Sequence, residues 1–144
     1  MKAAATRRFV LDASVAVAWC FEDESTGFTE SVLSLLANGA EAVVPSIWPL
    51  EVANALLIAE RRRRIALARA TALLHQIAGL PISVWPIDTK QACEHILPVA
   101  RQQSLTEYDA AYLELALRGG LPLATLDAEL RRSAKATGVA LVSA

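Results

Sequence analysis

RRFVLDASVAVAWC, residues 7–20, places one acid between two apolar runs. RRFVLD (7–12) has the apolar character of a short buried strand, and SVAVAWCF (14–21) reads as a helix. A carboxylate between them is costly to bury. Asp12 therefore either caps the helix or stands at a strand end where a site needs negative charge. Ser14 is placed to cap the first helical turn.

The same alternation continues outward from this stretch. EAVVP (41–45), SVWPI (83–87), LPLATLD (121–127) and VALVS (139–143) are the further strand candidates. Between them lie helical segments. Residues 26–37 stop at Asn38-Gly39. IWPLEVANALLIAERRRR (47–64) is opened by Ser46, with Pro49 in the first turn where proline is tolerated, and IALARATALLHQIAG follows. DTKQACEHILPVARQQ (88–103) is a helix that Pro98 kinks or breaks. Thr106 starts EYDAAYLELALR, which ends on Gly119-Gly120, and AELRRSAKAT (128–137) is the last helix. Short apolar strands without alternation, each followed by a helix, predict an α/β/α sandwich on a parallel sheet, with residues 1–144 forming one domain.

Composition bounds the function. At 144 residues and 54% hydrophobic the chain can bury a sizeable core, yet no apolar run reaches the ~18 residues of a membrane span. The basic start MKAAATRR is followed early by an acid and lacks a small-residue cleavage site, so no secretory leader is expected and the cytoplasm is the expected compartment. Cys20 and Cys93 are isolated and read as small buried hydrophobes. His75 and His95 stand alone, and zinc is not expected. A net charge of −1 means that any nucleic-acid contact rests on local patches.

Asp12, Asp88 and Asp127 each close a strand and precede a helix, so each can be a cap or a ligand-facing acid at the carboxyl edge of a parallel sheet. Glu51 lies one turn inside an apolar helix, where it either snorkels outward or faces a polar cleft. Asp109 follows Thr106 at capping-box spacing and has Tyr112 and Leu113 as helical neighbours. Carboxylates that converge without Lys or Arg repel one another and take up protons unless a cation neutralises them. Oxygen-only donors favour Mg²⁺ or Mn²⁺ over zinc. Such an ion activates water for in-line attack on a phosphoryl group, which points to phosphodiester hydrolysis. Dehalogenase-type phosphatases need a second acid two residues after the first, where this chain has Ser14. Response-regulator receivers need a lysine after the last strand, and VALVSA ends without one.

FVLDASVAVAW, PSIWPLEVANAL, LTEYDAAYLELALRGGLPLATLD and the closing strand, taken in order, resemble the PIN-domain ribonucleases, most closely the VapC-type toxins of toxin–antitoxin pairs. The resemblance covers essentially the whole chain. It implies a PIN-like fold with a five-stranded parallel sheet, a homodimer, RNA as substrate and a VapB-like antitoxin as partner. It also implies that Asp12, Glu51, Asp109 and Asp127 hold Mg²⁺ or Mn²⁺ and position a water, with the hydroxyls of Ser14 and Thr125 beside them. Asp88 is left as a helix cap.

Arg61, Arg62, Arg63 and Arg64 form the one dense basic run. Four consecutive residues cover all sides of a helix, so they either solvate its end or touch RNA phosphates. Arg131 and Arg132, a turn beyond Asp127, are the other RNA-binding candidates. Trp48 reads as core. Two alternatives stand beside a toxin endoribonuclease: a housekeeping PIN-type RNA-processing nuclease, and a non-catalytic binding module whose acids only cap helices.

Overall fold

The computed structural model describes residues 7–143. Strands β1 (Arg8–Leu11), β2 (Glu41–Pro45), β3 (Ile82–Trp85) and β4 (Leu123–Ala124) form a parallel sheet in the order β3-β2-β1-β4. Phe9, Val10, Leu11, Ala42, Val43 and Val44 are all fully buried, so neighbouring residues that point to opposite faces are both covered. The helices are α1 (Ala13–Trp19), α2 (Gly27–Ala37), α3 (Trp48–Arg61), α4 (Leu67–Ala78), α5 (Thr89–Gln91), α6 (Leu97–Gln103), α7 (Glu107–Gly119) and α8 (Ala128–Thr137). Helix α7 packs on β1, β2 and β4, and its buried run from Ala110 to Ala116 makes it the most enclosed helix. Trp48 is core, as expected.

The chain builds β1, β2 and β3 outward in one direction and then returns to lay β4 on the other side of β1. The order thus switches between β1 and β4. In open parallel sheets the crevice beyond the carboxyl ends at such a switch is where ligands bind.

Among the described residues the sheet has four strands rather than the five expected. VALVS contributes a single parallel bridge, Leu123 to Leu141, with Ala140 and Val142 exchanging backbone hydrogen bonds with Leu123 at 2.9 Å. LPLATLD is likewise cut to two strand residues: Pro122 has no N–H to donate, and Thr125 turns its hydroxyl to the acids instead.

Two of the expected helix caps bond elsewhere. Ser14 does not cap α1; its Oγ donates to Asp12 Oδ2 at 2.6 Å. Ser46 does not open α3; its Oγ accepts from the Ile87 N–H at 2.9 Å, tying β2 to the segment after β3. Thr106 does cap α7, accepting from the Asp109 N–H at 3.1 Å. Asp88 is a cap, accepting from Gln91 N–H at 2.8 Å. Gly120 ends α7 with φ +61°, a conformation that glycine adopts without strain.

The break before Pro98 is a π-helical turn, Ala92–Ile96, that leads into α6. Proline lacks an N–H and its ring crowds the carbonyl four residues back, so the wider turn accommodates it without interrupting the helical path. Cys93 lies on this turn and is exposed, against expectation, because the turn directs Ile96 rather than Cys93 into the core; Cys20 is buried. No helix of the described residues is long and apolar enough to cross a membrane. Most of the basic N-terminal stretch lies outside the described residues.

Candidate active site

Asp12 follows β1 and Asp127 follows the strand hydrogen-bonded to it, so the sheet itself places both at the switch. Asp12 is only 5% exposed. Its Oδ2 accepts from Ser14 Oγ at 2.6 Å and from Thr125 Oγ1 at 2.7 Å. Thr125, fully buried, also accepts from the Asp127 N–H at 3.0 Å, and Ser14 Oγ accepts from the Leu126 N–H at 3.1 Å. Two hydroxyls thus stitch the ends of β1 and β4 together through one carboxylate oxygen. Asp12 is the residue before α1, but its side chain does not cap that helix, so the site reading of this acid gains over the capping one. Asp127 does cap α8, accepting from Leu130 N–H at 2.9 Å. Capping and facing the site are compatible roles for its two oxygens.

Glu51 and Asp109 come from the first turns of α3 and α7. Both are partly exposed. Glu51 Oε1 accepts from the Tyr112 hydroxyl at 2.7 Å. Tyr112 is fully buried, and burial together with its bond to Glu51 pushes the phenol far above its ordinary value, so it remains a donor. Its role was not foreseen. The available signal was its position three residues after Asp109, on the same helix face.

The electrostatics connect the acids. Burial raises the pKa of Asp12, the hydrogen bonds from Ser14 and Thr125 oppose that rise, and the charge of Asp127 adds to it. Burial also raises Glu51, opposed by Tyr112 and reinforced by Asp12 and Asp109. Asp109 is raised first by burial, then by Asp127 and Asp12. Each of these three carboxylates therefore feels at least one of the other acids, and no basic group is among the causes.

The donor chemistry suits a hard divalent cation, because all four groups are carboxylates and burial favours the protonated form of Asp12, Glu51 and Asp109 in the absence of a cation. The side-chain positions do not by themselves assemble a coordination shell. Among the described residues, no three His, Cys, Asp or Glu side chains stand together as a metal site. The donor set and its mutual repulsion, and not a preformed geometry, carry the metal reading.

The basic candidates divide. Helix α3 ends at Arg61, and Arg63 takes a left-handed φ of +57° that breaks the run into a turn. Arg64 is engaged elsewhere: it pairs with Asp23 at 2.8 Å and Glu24 at 2.7 Å and lies 4.0 Å over the Phe21 ring. Arg61 stands at the far end of α3 from Glu51, about 15 Å along at helical rise. Arg131 is close to the acids, donating from Nη1 to the Thr125 carbonyl at 3.1 Å, whereas Arg132 is held on Glu129 at 2.7 Å and on the Gln103 carbonyl at 3.2 Å.

A family model for the PIN domain matches residues 9–136. A search of the curated proteins finds no significant match. Among solved structures, the chain is similar to PAE2754 from Pyrobaculum aerophilum, with 25% identity and a TM-score of 0.69, covering 90% of this chain and 80% of that one. It is also similar to VapBC2 from Rickettsia felis, bound to a DNA fragment from its promoter: 14% identity, TM-score 0.65, 94% of this chain and 97% of that one. A toxin–antitoxin complex from Klebsiella pneumoniae aligns at 16% identity and a TM-score of 0.56, over 83% of this chain and 86% of that one. The last two likenesses show the fold alone. With a family model matched from β1 to the end of α8, around a crevice where strand order reverses beside four acids, this chain belongs to the PIN-domain family.

Proposed function

We propose that this protein is a metal-dependent endoribonuclease, the VapC-type toxin of a toxin–antitoxin pair. The observation that carries the reading is the set of carboxylates at the switch in strand order, three of which have their pKa raised by burial first and then by other acids of the set. Membership of the PIN family supports a nuclease. The toxin–antitoxin complexes among the structural relatives support an antitoxin partner.

In this reading Asp12, Glu51, Asp109 and Asp127 hold Mg²⁺ or Mn²⁺. The ion would supply an activated water and neutralise charge on the phosphoryl oxygens. The chain's own groups prepare the site. Ser14 and Thr125 hold Asp12 by one oxygen and fix its orientation. Tyr112 does the same for Glu51 from beneath. Arg131 stands near enough to Thr125 to offer charge to an incoming phosphate.

Leu50, Leu57, Ile58, Leu67 and Leu74, all exposed on α3 and α4, supply apolar surface for the homodimer that we include in the proposal. The absence of three assembled donors among the described residues favours, as a second reading, a binding module whose acids do not catalyse. A housekeeping nuclease would have the same site, and a small antitoxin-like reading frame beside the gene separates it from a toxin.

The deciding experiment is cleavage of a mixed structured RNA by the purified protein, with and without Mg²⁺ or Mn²⁺, beside Asp109→Asn. Metal-dependent cutting lost in the variant establishes the reading. Binding of divalent metal by a folded protein that cuts no RNA, alone or in the variant, turns it toward the binding module.

A further inference from the structure

Helix α3 carries an exposed stripe that runs from the acids to the arginine run. Leu50, Asn54, Leu57 and Arg61 follow one another at intervals of four, three and four residues, so they share one face of the helix, with Ile58 beside Leu57. Leu50 is 67% exposed, Leu57 39% and Ile58 38%. Apolar side chains at this spacing make the seam along which two helices pair.

The two ends of the stripe are opposite in charge. Glu51 flanks its start, three residues before Asn54, and Arg61, Arg62 and Arg63 close the helix and its turn. Among the described residues these three arginines make no ion pair, whereas Arg64 is held by Asp23 and Glu24. Within one chain Arg61 lies too far along α3 to meet the acids, at about 15 Å. Asn54 is the one polar residue between the leucines of the seam.

We propose that a second copy of this chain lies antiparallel on the stripe, crossing at Asn54, and that its Arg61 meets the RNA phosphate beside the acids. The role of Arg61 rests on the nuclease reading; the pairing does not. Charge selects the direction. A parallel pair would set arginine run against arginine run, whereas an antiparallel pair sets each run against the acid end of the other copy and opposes the two helix dipoles. With the crossing at Asn54, Ile58 faces Leu50 of the other copy and Arg61 faces its Ile47. Position 47 is four residues before Glu51, about 6 Å at helical rise, a gap that an arginine side chain spans. Two facing asparagine amides each donate and accept, so Asn54 fixes the register against a slip that would oppose it to leucine. Two-fold symmetry then builds two sites, each with the acids of one copy and the arginine of the other.

The test begins with cross-linking in a Cys93→Ser background, which keeps only the buried Cys20. Under mild oxidation Asn54→Cys should link to its own copy, Ile58→Cys alone should not, and Ile58→Cys mixed with Leu50→Cys should. Wild type should sediment as two chains and Leu57→Glu as one. Arg61→Ala should still sediment as two chains, bind RNA roughly tenfold more weakly and lower the slope of log affinity against log salt by about one. Cleavage by mixed variants shows which copy the arginine serves. Asp109→Asn and Arg61→Ala, each impaired alone, should regain about a quarter of wild-type cutting when mixed in equal amounts, because random pairing makes about half of the dimers mixed, each with one intact site. Wild type that sediments as one chain, or Ile58→Cys that links to itself, overturns the pairing. Mixing that restores nothing while the cross-links form, or Arg61→Ala that binds RNA as wild type does, overturns the role of the second copy's arginine. A protein that binds RNA without cutting it overturns the nuclease, while mass, cross-links and Arg61→Ala binding still decide this inference. One that binds no RNA overturns both the nuclease and the arginine's role.

Discussion

Tyr112→Phe removes one oxygen from a fully buried side chain and with it the 2.7 Å bond to Glu51. A hydrogen bond to a charged acceptor contributes roughly 1.5–3 kcal/mol, and Glu51 is partly open to water, so a loss of about 1–2 kcal/mol is expected. At about 2.1 cal/mol/K per residue, unfolding 144 residues carries an entropy near 0.3 kcal/mol/K, and Tm should fall by about 3–7 °C. The pH dependence makes the prediction specific. Glu51 has a raised pKa in the fold, so between its ordinary and its raised value the folded chain holds a proton that the unfolded chain has released. Its contribution is present on the acid side and lost as pH rises through that window. The Tyr112 bond opposes the rise and favours the ionised form. Its removal therefore costs most on the alkaline side of that window, where Glu51 is charged, and about half as much on the acid side, where the bond is to a neutral carboxyl; pH 8 and pH 4 are the two assay points. Thermal unfolding of both proteins in EDTA at the two pH values measures this. An equal loss at both, or no loss at the higher, would refute the view that Tyr112 serves the Glu51 carboxylate.

Three further outcomes follow from the same site. Thr125→Val keeps shape but removes one of the two donors to Asp12 Oδ2 and leaves the Asp127 N–H without its acceptor, and should destabilise by about 2–3 kcal/mol in urea unfolding while reducing RNA cleavage; full activity would show that the hydroxyl does not position the acids. Mg²⁺ at a hundredfold over its dissociation constant should stabilise by about 2.7 kcal/mol at pH 7.5, and the gain should shrink as pH falls through the raised pKa range of Asp12, Glu51 and Asp109, because protons then compete for the ligands; calorimetric scans with Asp12→Asn as control check this. Arg131→Ala should lower the slope of log affinity against log salt for RNA by about one, whereas Arg64→Ala should leave that slope alone and lower Tm through its lost pairs with Asp23 and Glu24.

What could be read ahead of the structure was what local chemistry determines. The bounds of α8, the Thr106 cap, the glycine stop at Gly120 and the acids at strand ends all follow from neighbours within a few residues. What was missed depends on contacts across the chain. Nothing near Arg64 in sequence announces Asp23 and Glu24, some forty residues earlier. Ser14 and Ser46 look like caps because capping is their local habit, yet each is recruited by a partner far along the chain. The fifth strand failed for a related reason: VALVS has strand composition, but only Leu141 finds a bridge partner on an adjoining strand of two residues. Nothing local to Tyr112 marks its hydroxyl, which becomes informative only through its bond to Glu51 on another helix.

The π-helical turn at Ala92–Ile96 has a meaning for how this molecule can vary. Ala92, at its start, and Ile96, at its end, both line an apolar groove together with Ile47 and Ile87, so the turn shapes that groove through its backbone path as well as its side chains. Exchanging one aliphatic residue for another there would reshape the floor by a methyl group. Deleting one residue from the turn would leave a regular α-helix there and set Pro98 inside it, at a cost of about 3 kcal/mol. Aliphatic exchange at Ala92 or Ile96 should therefore be tolerated better than the loss of a residue from the turn.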